Sequence, residues 1–178
     1  MGANLRFAKQ DLGSGAISYA GGAATRKDFD QGSTIVDFGV LYWTGYKSLN
    51  FAISSRNFSR ENTYSEESFE LPLTFRMGLS MDLVDLTSMD KNTHAFILAV
   101  DTERPRDFDE QVKIGVEYTI MKTLSLRGGY VFPTDEQGIS LGAGFGRELE
   151  SFAIRVDYPY TDFGVFDGVN RLSLGVSF

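Results

Sequence analysis

From residue 69 to residue 81 every second position is apolar. Phe69, Leu71, Leu73, Phe75, Met77, Leu79 and Met81 share one parity, and Glu70, Pro72, Thr74, Arg76, Gly78 and Ser80 share the other. Successive side chains of a strand point to opposite faces, so the pattern predicts a strand with one apolar and one polar face. Val112, Ile114, Val116, Tyr118 and Ile120 repeat it against Lys113, Gly115, Glu117 and Thr119. So do Phe152, Ile154, Val156, Tyr158 and Tyr160 against Ala153, Arg155 and Asp157. Weaker versions run over 36–44, 49–58, 94–101, 124–132 and 139–146, with an opening strand over 4–10. The chain ends on Leu172, Leu174, Val176 and Phe178, set against Arg171, Ser173, Gly175 and Ser177. The count is about ten strands, each close to the roughly ten-residue alternating unit of a transmembrane barrel.

The same parity carries apolar residues in strand after strand, and no helical pattern is available to cover it. Lipid is the simplest destination for that face. The fold expected is therefore all-β: an antiparallel up-and-down transmembrane β-barrel, one domain over 1–178 and part of a larger barrel. Leu73, Phe75, Met77, Val116, Tyr118, Ile154, Val156 and Leu174 are expected against lipid. Arg76, Lys113, Glu117, Arg127, Arg155, Asp157 and Arg171 are expected to fill the lumen with paired charges. Tight connections at 45–47, 122–123 and 148–150 alternate with longer polar ones at 59–67, 102–110, 133–137 and 161–168, as periplasmic turns and external loops do. On this count 82–92 is a long inner connection and 11–32 the longest outer loop. Tyr130, Phe132, Tyr158 and Tyr160 then gather near the outer rim, and Tyr42, Phe152 and Phe178 near the inner one, as two aromatic girdles.

Composition narrows the classes further. The chain has 178 residues, 42% hydrophobic and 13% aromatic, with 15 Phe and 8 Tyr. It has no apolar run near the roughly 18 residues of a spanning helix, so any crossing is made by strands. The net charge of -7, with 17 basic residues scattered along the chain and no Lys/Arg cluster larger than Arg26-Lys27, argues against a nucleic-acid partner. The absence of cysteine excludes thiolate and disulfide chemistry. Residues 1–12 contain no apolar core of an export signal, and the expectation is that a signal and further strands precede Met1 in the complete protein.

Chemistry-bearing motifs are few. His94 is the single histidine, and a metal site there would require Asp90 and Asp101 to converge on it; a rim-facing polar residue is the better reading. Gly142, Gly144 and Gly146 alternate with Ala143 and Phe145 and no helix follows, which makes them strand glycines and not a phosphate loop. Asp82, Asp85 and Asp90 lack the glycine and terminal glutamate of a calcium loop and read as a solvated turn. Because no nucleophile, base and orienting group can be assembled, an enzyme is not expected, nor a cofactor or metal. The outer loops combine charge with aromatics. Tyr64, Arg104, Arg106, Phe108, Tyr160, Phe163 and Phe166 are the candidate partner-binding rim.

Three segments carry a family resemblance: Leu124-Ser-Leu-Arg-Gly-Gly-Tyr130, Gly138-Ile-Ser-Leu-Gly-Ala-Gly-Phe145, and the run from Val156 to Phe178. With Asp37-Phe-Gly-Val-Leu-Tyr42, Arg56-Asn-Phe58 and Leu71-Pro-Leu-Thr-Phe-Arg-Met-Gly78, they resemble the C-terminal portion of the PorV/PorQ family. The resemblance implies an outer-membrane barrel related to the FadL transporters, found mainly in Bacteroidetes-like bacteria. Its best-known members serve type IX secretion, holding secreted cargo by its C-terminal signal domain and passing it to a surface sortase. In such barrels the terminal aromatic, here Phe178, is read by the assembly machinery. The chain departs from that pattern in lacking the N-terminal strands and signal, in carrying Pro159 near the end of a strand, and in an apparent insertion over 11–32. Three readings stand: a secretion scaffold or cargo shuttle, a FadL-like channel for hydrophobic molecules, and a soluble β-barrel around an apolar ligand.

Overall fold

The computed structural model describes residues 1–20, 23–59, 62–64, 67–69, 71–134 and 137–178, with side chains described outside 12, 16–25, 60–70 and 135–136. It is all-β. The strands are β1 (Gly2–Ala20), β2 (Ala23–Trp43), β3 (Asn50–Ser59), β4 (Asn62–Tyr64), β5 (Glu67–Phe69), β6 (Thr74–Asp82), β7 (His94–Pro105), β8 (Gln111–Ile120), β9 (Leu124–Phe132), β10 (Ile139–Glu148), β11 (Ala153–Asp162), β12 (Gly168–Asn170) and β13 (Ser173–Ser177). Two short 3-10 turns, η1 (Leu83–Leu86) and η2 (Gly164–Phe166), interrupt them.

Eleven strands form one sheet in the order β1-β2-β3-β6-β7-β8-β9-β10-β11-β12, with β13 also on β11, while β4 and β5 form a separate hairpin. Neighbours in chain are neighbours in the sheet, and the ladders are antiparallel, as in an up-and-down meander. The sheet is open: no ladder joins β1 to β12 or β13 among the described residues.

Two compact units are present. The first comprises Met1–Val40, Ser54–Phe75 and Pro105–Asp107; the second comprises Leu41–Ile53, Arg76–Arg104 and Phe108–Phe178.

The second unit shows how the alternation sorts the faces. Its registers place Tyr118, Leu126, Ala143 and Tyr158 in one cross-strand row, and Ile120, Leu124, Phe145, Val156 and Leu174 in the next. On the other face, Glu117, Arg127, Gly142 and Pro159 form one row and Thr119, Ser125, Gly144, Asp157 and Ser173 another. Apart from the η1 turn beside Tyr118, no layer covers the apolar rows among the described residues. Among the described residues the buried hydrophobic side chains are Ile35 and Val84. The large apolar side chains of these rows, Leu126, Phe145, Tyr158 and Leu174 among them, are exposed.

Three expectations change. The strand expected over 69–81 is split, because 71–73 leaves the ladder. Pro72 has no N–H to give, and the carbonyls of this stretch are taken from elsewhere in the first unit: Leu71 O by Arg106 Nη1 at 3.2 Å, Pro72 O by Asn57 Nδ2 at 3.1 Å. The loop expected over 11–32 is a β-ribbon, β1 pairing with β2 out to Ala20 opposite Ala23. The final strand is broken into β12 and β13, and the gap at 171–172 begins opposite Pro159. Pro159 O accepts from Arg171 N at 3.0 Å; its own missing N–H would have faced the same neighbour, so the ladder stops there.

Candidate functional site

The polar face of the second unit holds two ion-paired groups. In the first, Glu117 on β8 lies directly opposite Arg127 on β9, and Arg127 Nε donates to Glu117 Oε2. Arg127 then reaches over β10. Its Nη1 donates to Asp157 Oδ1 on β11 at 2.7 Å, and Arg155 Nε closes the row on Asp157 Oδ2 at 2.7 Å. The bridge passes above Gly144, where a Cβ would stand 2.7 Å from Asp157 Oδ1 and 2.9 Å from Arg127 Nη1. Glycine at 144 leaves room for a β9–β11 ion pair to pass over β10, and a Cβ there would require the tips of Arg127 and Asp157 to shift. In the second group Glu103 on β7 accepts from Arg76 Nη2 at 2.6 Å and from Lys113 Nζ.

Beside these groups the face is hollowed to about 530 Å3, with Ile97, Ala99, Gly115, Ser140, Gly142 and Thr161 in the lining along with Arg127 and Asp157. Small residues opposite one another leave the space.

No family model, curated protein or solved structure matches the chain. The geometry alone therefore bears on the site.

Six of the seven expected lumen residues fall in the two groups: Arg76, Lys113, Glu117, Arg127, Arg155 and Asp157. Arg171 is not brought into either; it is exposed in the gap between β12 and β13. Glu103 was missed. The signal was there in its parity, shared with Asp101 and opposite to Phe96, Leu98 and Val100, but β7 runs to Pro105, beyond the strand expected over 94–101.

The rim residues disperse. Phe108 and Phe166 are 77% and 73% exposed, and Val165, not anticipated, is 89% exposed. Arg104 is exposed. Arg106 instead holds the 71–73 segment, its backbone N–H donating to Leu73 O at 2.8 Å. Tyr160 is a half-buried member of β11 whose ring occupies the space beside Gly168, and Phe163 is half-buried at the start of η2. The Tyr64 side chain lies outside the described residues. Phe178 follows β13 and is fully exposed.

The remaining polar candidates are occupied locally. His94 Nδ1 and Tyr118 Oη are 2.9 Å apart, and Asp101 has the opposite parity in β7, so it faces away from His94. Asp82 Oδ1 caps η1 by accepting from Val84 N at 3.0 Å and from Phe96 N at 2.9 Å. Hydrogen bonds from Lys91 and then Ser48 hold the Asp85 carboxyl down to about 2, and the Asn92 N–H lowers that of Asp90.

Proposed function

We propose that this chain forms the wall of a bacterial outer-membrane β-barrel whose outward loops hold secreted protein, the scaffold role that the PorV/PorQ resemblance implies. One observation carries the membrane part of the reading. In the second unit an apolar face runs through Leu126, Phe145, Val156 and Leu174 with no covering layer among the described residues, while the charges pair on the opposite face. Strands can cross lipid when every backbone group is laddered and the lipid-facing parity is apolar. Closure by β1 or by further strands removes the open edges in this reading.

The holding role draws on the outward connections, where Phe108, Val165 and Phe166 are largely exposed. Apolar side chains at loop tips cost solvation and suit a protein partner. The expected partners are the signal domain of secreted cargo and a surface sortase. The hollow of about 530 Å3 on the charged face favours a second reading, a conduit for hydrophobic molecules related to FadL. The soluble-barrel reading fits less well, since its ligand would meet the paired charges and the apolar parity would face water.

Nitroxide labels at Leu126 and Ser125 test the wall. In liposomes the label at 126 is expected to collide with oxygen dissolved in lipid and the label at 125 with a polar relaxant; the reverse would invert the faces. Changing Phe108 and Phe166 together to Ser is then expected to reduce capture of secreted proteins severalfold without lowering membrane yield. Unchanged capture with reduced uptake of a hydrophobic compound would transfer the role to the conduit.

A further inference from the structure

The connection between β6 and β7 builds an apolar hollow that neither the wall nor the rim uses. Its turn is pinned from both sides. Asp82 ties the start of η1 to the Phe96 N–H of β7, Asp85 Oδ2 accepts from Ser48 N at 2.8 Å and pairs with Lys91, and Thr87 Oγ1 donates to Val84 O at 3.1 Å. Val84, only 1% exposed, is the plug that holds η1 down. What remains between the turn and the strands is a space of about 590 Å3 lined by Val84, Leu86, Thr87, Met89, Phe96 and Tyr118. Phe96 and Tyr118 belong to the apolar parity and meet edge-on at 6.1 Å. The Tyr118 hydroxyl is satisfied by His94, so the ring presents no unmet polar group to the hollow.

We propose that this hollow holds one acyl chain of a zwitterionic, ethanolamine-type phospholipid from the inner leaflet of the outer membrane. The inference rests on the membrane reading above and names a lipid for it. Two observations select the occupant. The hollow is continuous with the apolar face of β7 and β8, so a lipid enters it sideways without leaving the bilayer, while Leu86, 54% exposed, and Met89 stand exposed on a turn that is otherwise polar. Next to them the charges are of both signs: Asp85 and Asp90 beside Lys91, and Lys47, whose ammonium reaches the Asp85 carbonyl. A headgroup carrying both phosphate and ammonium complements that mixture; a headgroup with negative charge alone brings no cation of its own to offset Asp85 and Asp90.

The test uses the full chain with its single tryptophan removed, Trp43→Phe, and one reporter at a time, Met89→Trp beside the hollow or Leu126→Trp on the open apolar face. In vesicles of phosphatidylethanolamine with brominated acyl chains, both reporters are expected to be quenched. On transfer to lipid-free detergent, the Leu126 reporter is expected to recover its emission at once and the Met89 reporter to stay quenched. Thr87→Phe, which fills the hollow, is expected to abolish that retention and leave quenching at Leu126 in vesicles intact. Lack of quenching at Leu126 in vesicles would overturn the membrane reading itself. Quenching at Leu126 but not at Met89, equally fast recovery of both, or retention unaffected by Thr87→Phe would overturn the lipid site alone. Equal retention of brominated phosphatidylglycerol would overturn the choice of headgroup.

Discussion

The β1–β2 ribbon and the β8–β11 strands are both antiparallel ladders, yet different terms specify them. Strands β8 to β11 are 10, 9, 10 and 10 residues long, close to the roughly 9–11 residues that cross a bilayer. Their registers run without a slip, and through their central stretches they align apolar with apolar and polar or small with polar, with exceptions near the ends at Lys113 opposite Val131 and Arg147 opposite Ile154. β1 and β2 are 19 and 21 residues long. At about 3.4 Å per residue such a strand extends roughly 65–70 Å, more than twice a bilayer's hydrocarbon thickness of about 30 Å. The ribbon beyond Lys9 and Gly32 has no sustained alternation, and its register shifts twice, between Asp11 and Ser14 and between Ala16 and Ser18. Where both faces are chemically distinct, a one-residue slip exchanges them at high cost; where they are alike, a slip costs little.

The largest effect that follows is a charge on the apolar face. Leu126→Arg is expected to cost about 2–4 kcal/mol of folding into vesicles, whereas Ser14→Arg on the exposed ribbon is expected to stay within about 0.5 kcal/mol. Urea titration of both variants in the same lipid measures the pair. Equal costs would mean that lipid does not distinguish the two regions.

Next come the polar rows. Arg127→Met leaves Glu117 and Asp157 without their shared partner and is expected to cost about 1–3 kcal/mol, since hydrogen bonds to charged groups exceed neutral ones. Gly144→Ala is expected to cost about 1 kcal/mol by displacing the same bridge, and less once Asp157→Ala has removed it. Gly32, on the ribbon, has open space where its Cβ would be, so Gly32→Ala is expected to be neutral or stabilising by a few tenths of a kcal/mol. A double-mutant cycle over 144 and 157 that came out additive would remove the glycine from the account of the bridge.

This contrast also sets what could be read from the sequence. Val112 to Ile120 and Phe152 to Tyr160 announce their faces residue by residue, and six of the charges in the two ion-paired groups follow from parity alone. The ribbon announces nothing of the kind. Residues 11–32 are rich in Gly, Ser and Asp, and their strand character comes from pairing with each other, a nonlocal term that a periodicity search does not contain. The Gly21-Gly22 dipeptide was the available sequence clue, a pair of the kind that favours two-residue hairpins. Pro72 and Pro159 were legible as ladder breakers, but Pro72 was absorbed into a run of perfect alternation. The parity of 69–81 describes composition correctly there and backbone pairing incorrectly. The Arg127–Asp157 bridge passes over Gly144 on the intervening strand β10, a juxtaposition that spacing along the chain does not reveal.

The smallest effect belongs to the ribbon's own ion pair. Lys9 Nζ and Asp30 Oδ2 are 3.7 Å apart with side chains 69% and 57% exposed, while Arg127 and Asp157 are 2.7 Å apart and both mostly covered. An exposed pair of long, mobile side chains gains little beyond what water and salt already provide, typically about 0.2–0.5 kcal/mol at low ionic strength and less at 0.15 M. Lys9→Ala is therefore expected to leave folding stability unchanged within about 0.5 kcal/mol and to lose even that difference in 0.5 M salt. Arg127→Met should keep most of its cost under the same salt, because the bridge is short and partly shielded. If Lys9→Ala were instead as costly as Arg127→Met and resistant to salt, the ribbon would have a specified face of its own, and the distinction drawn between the two ladders would fail.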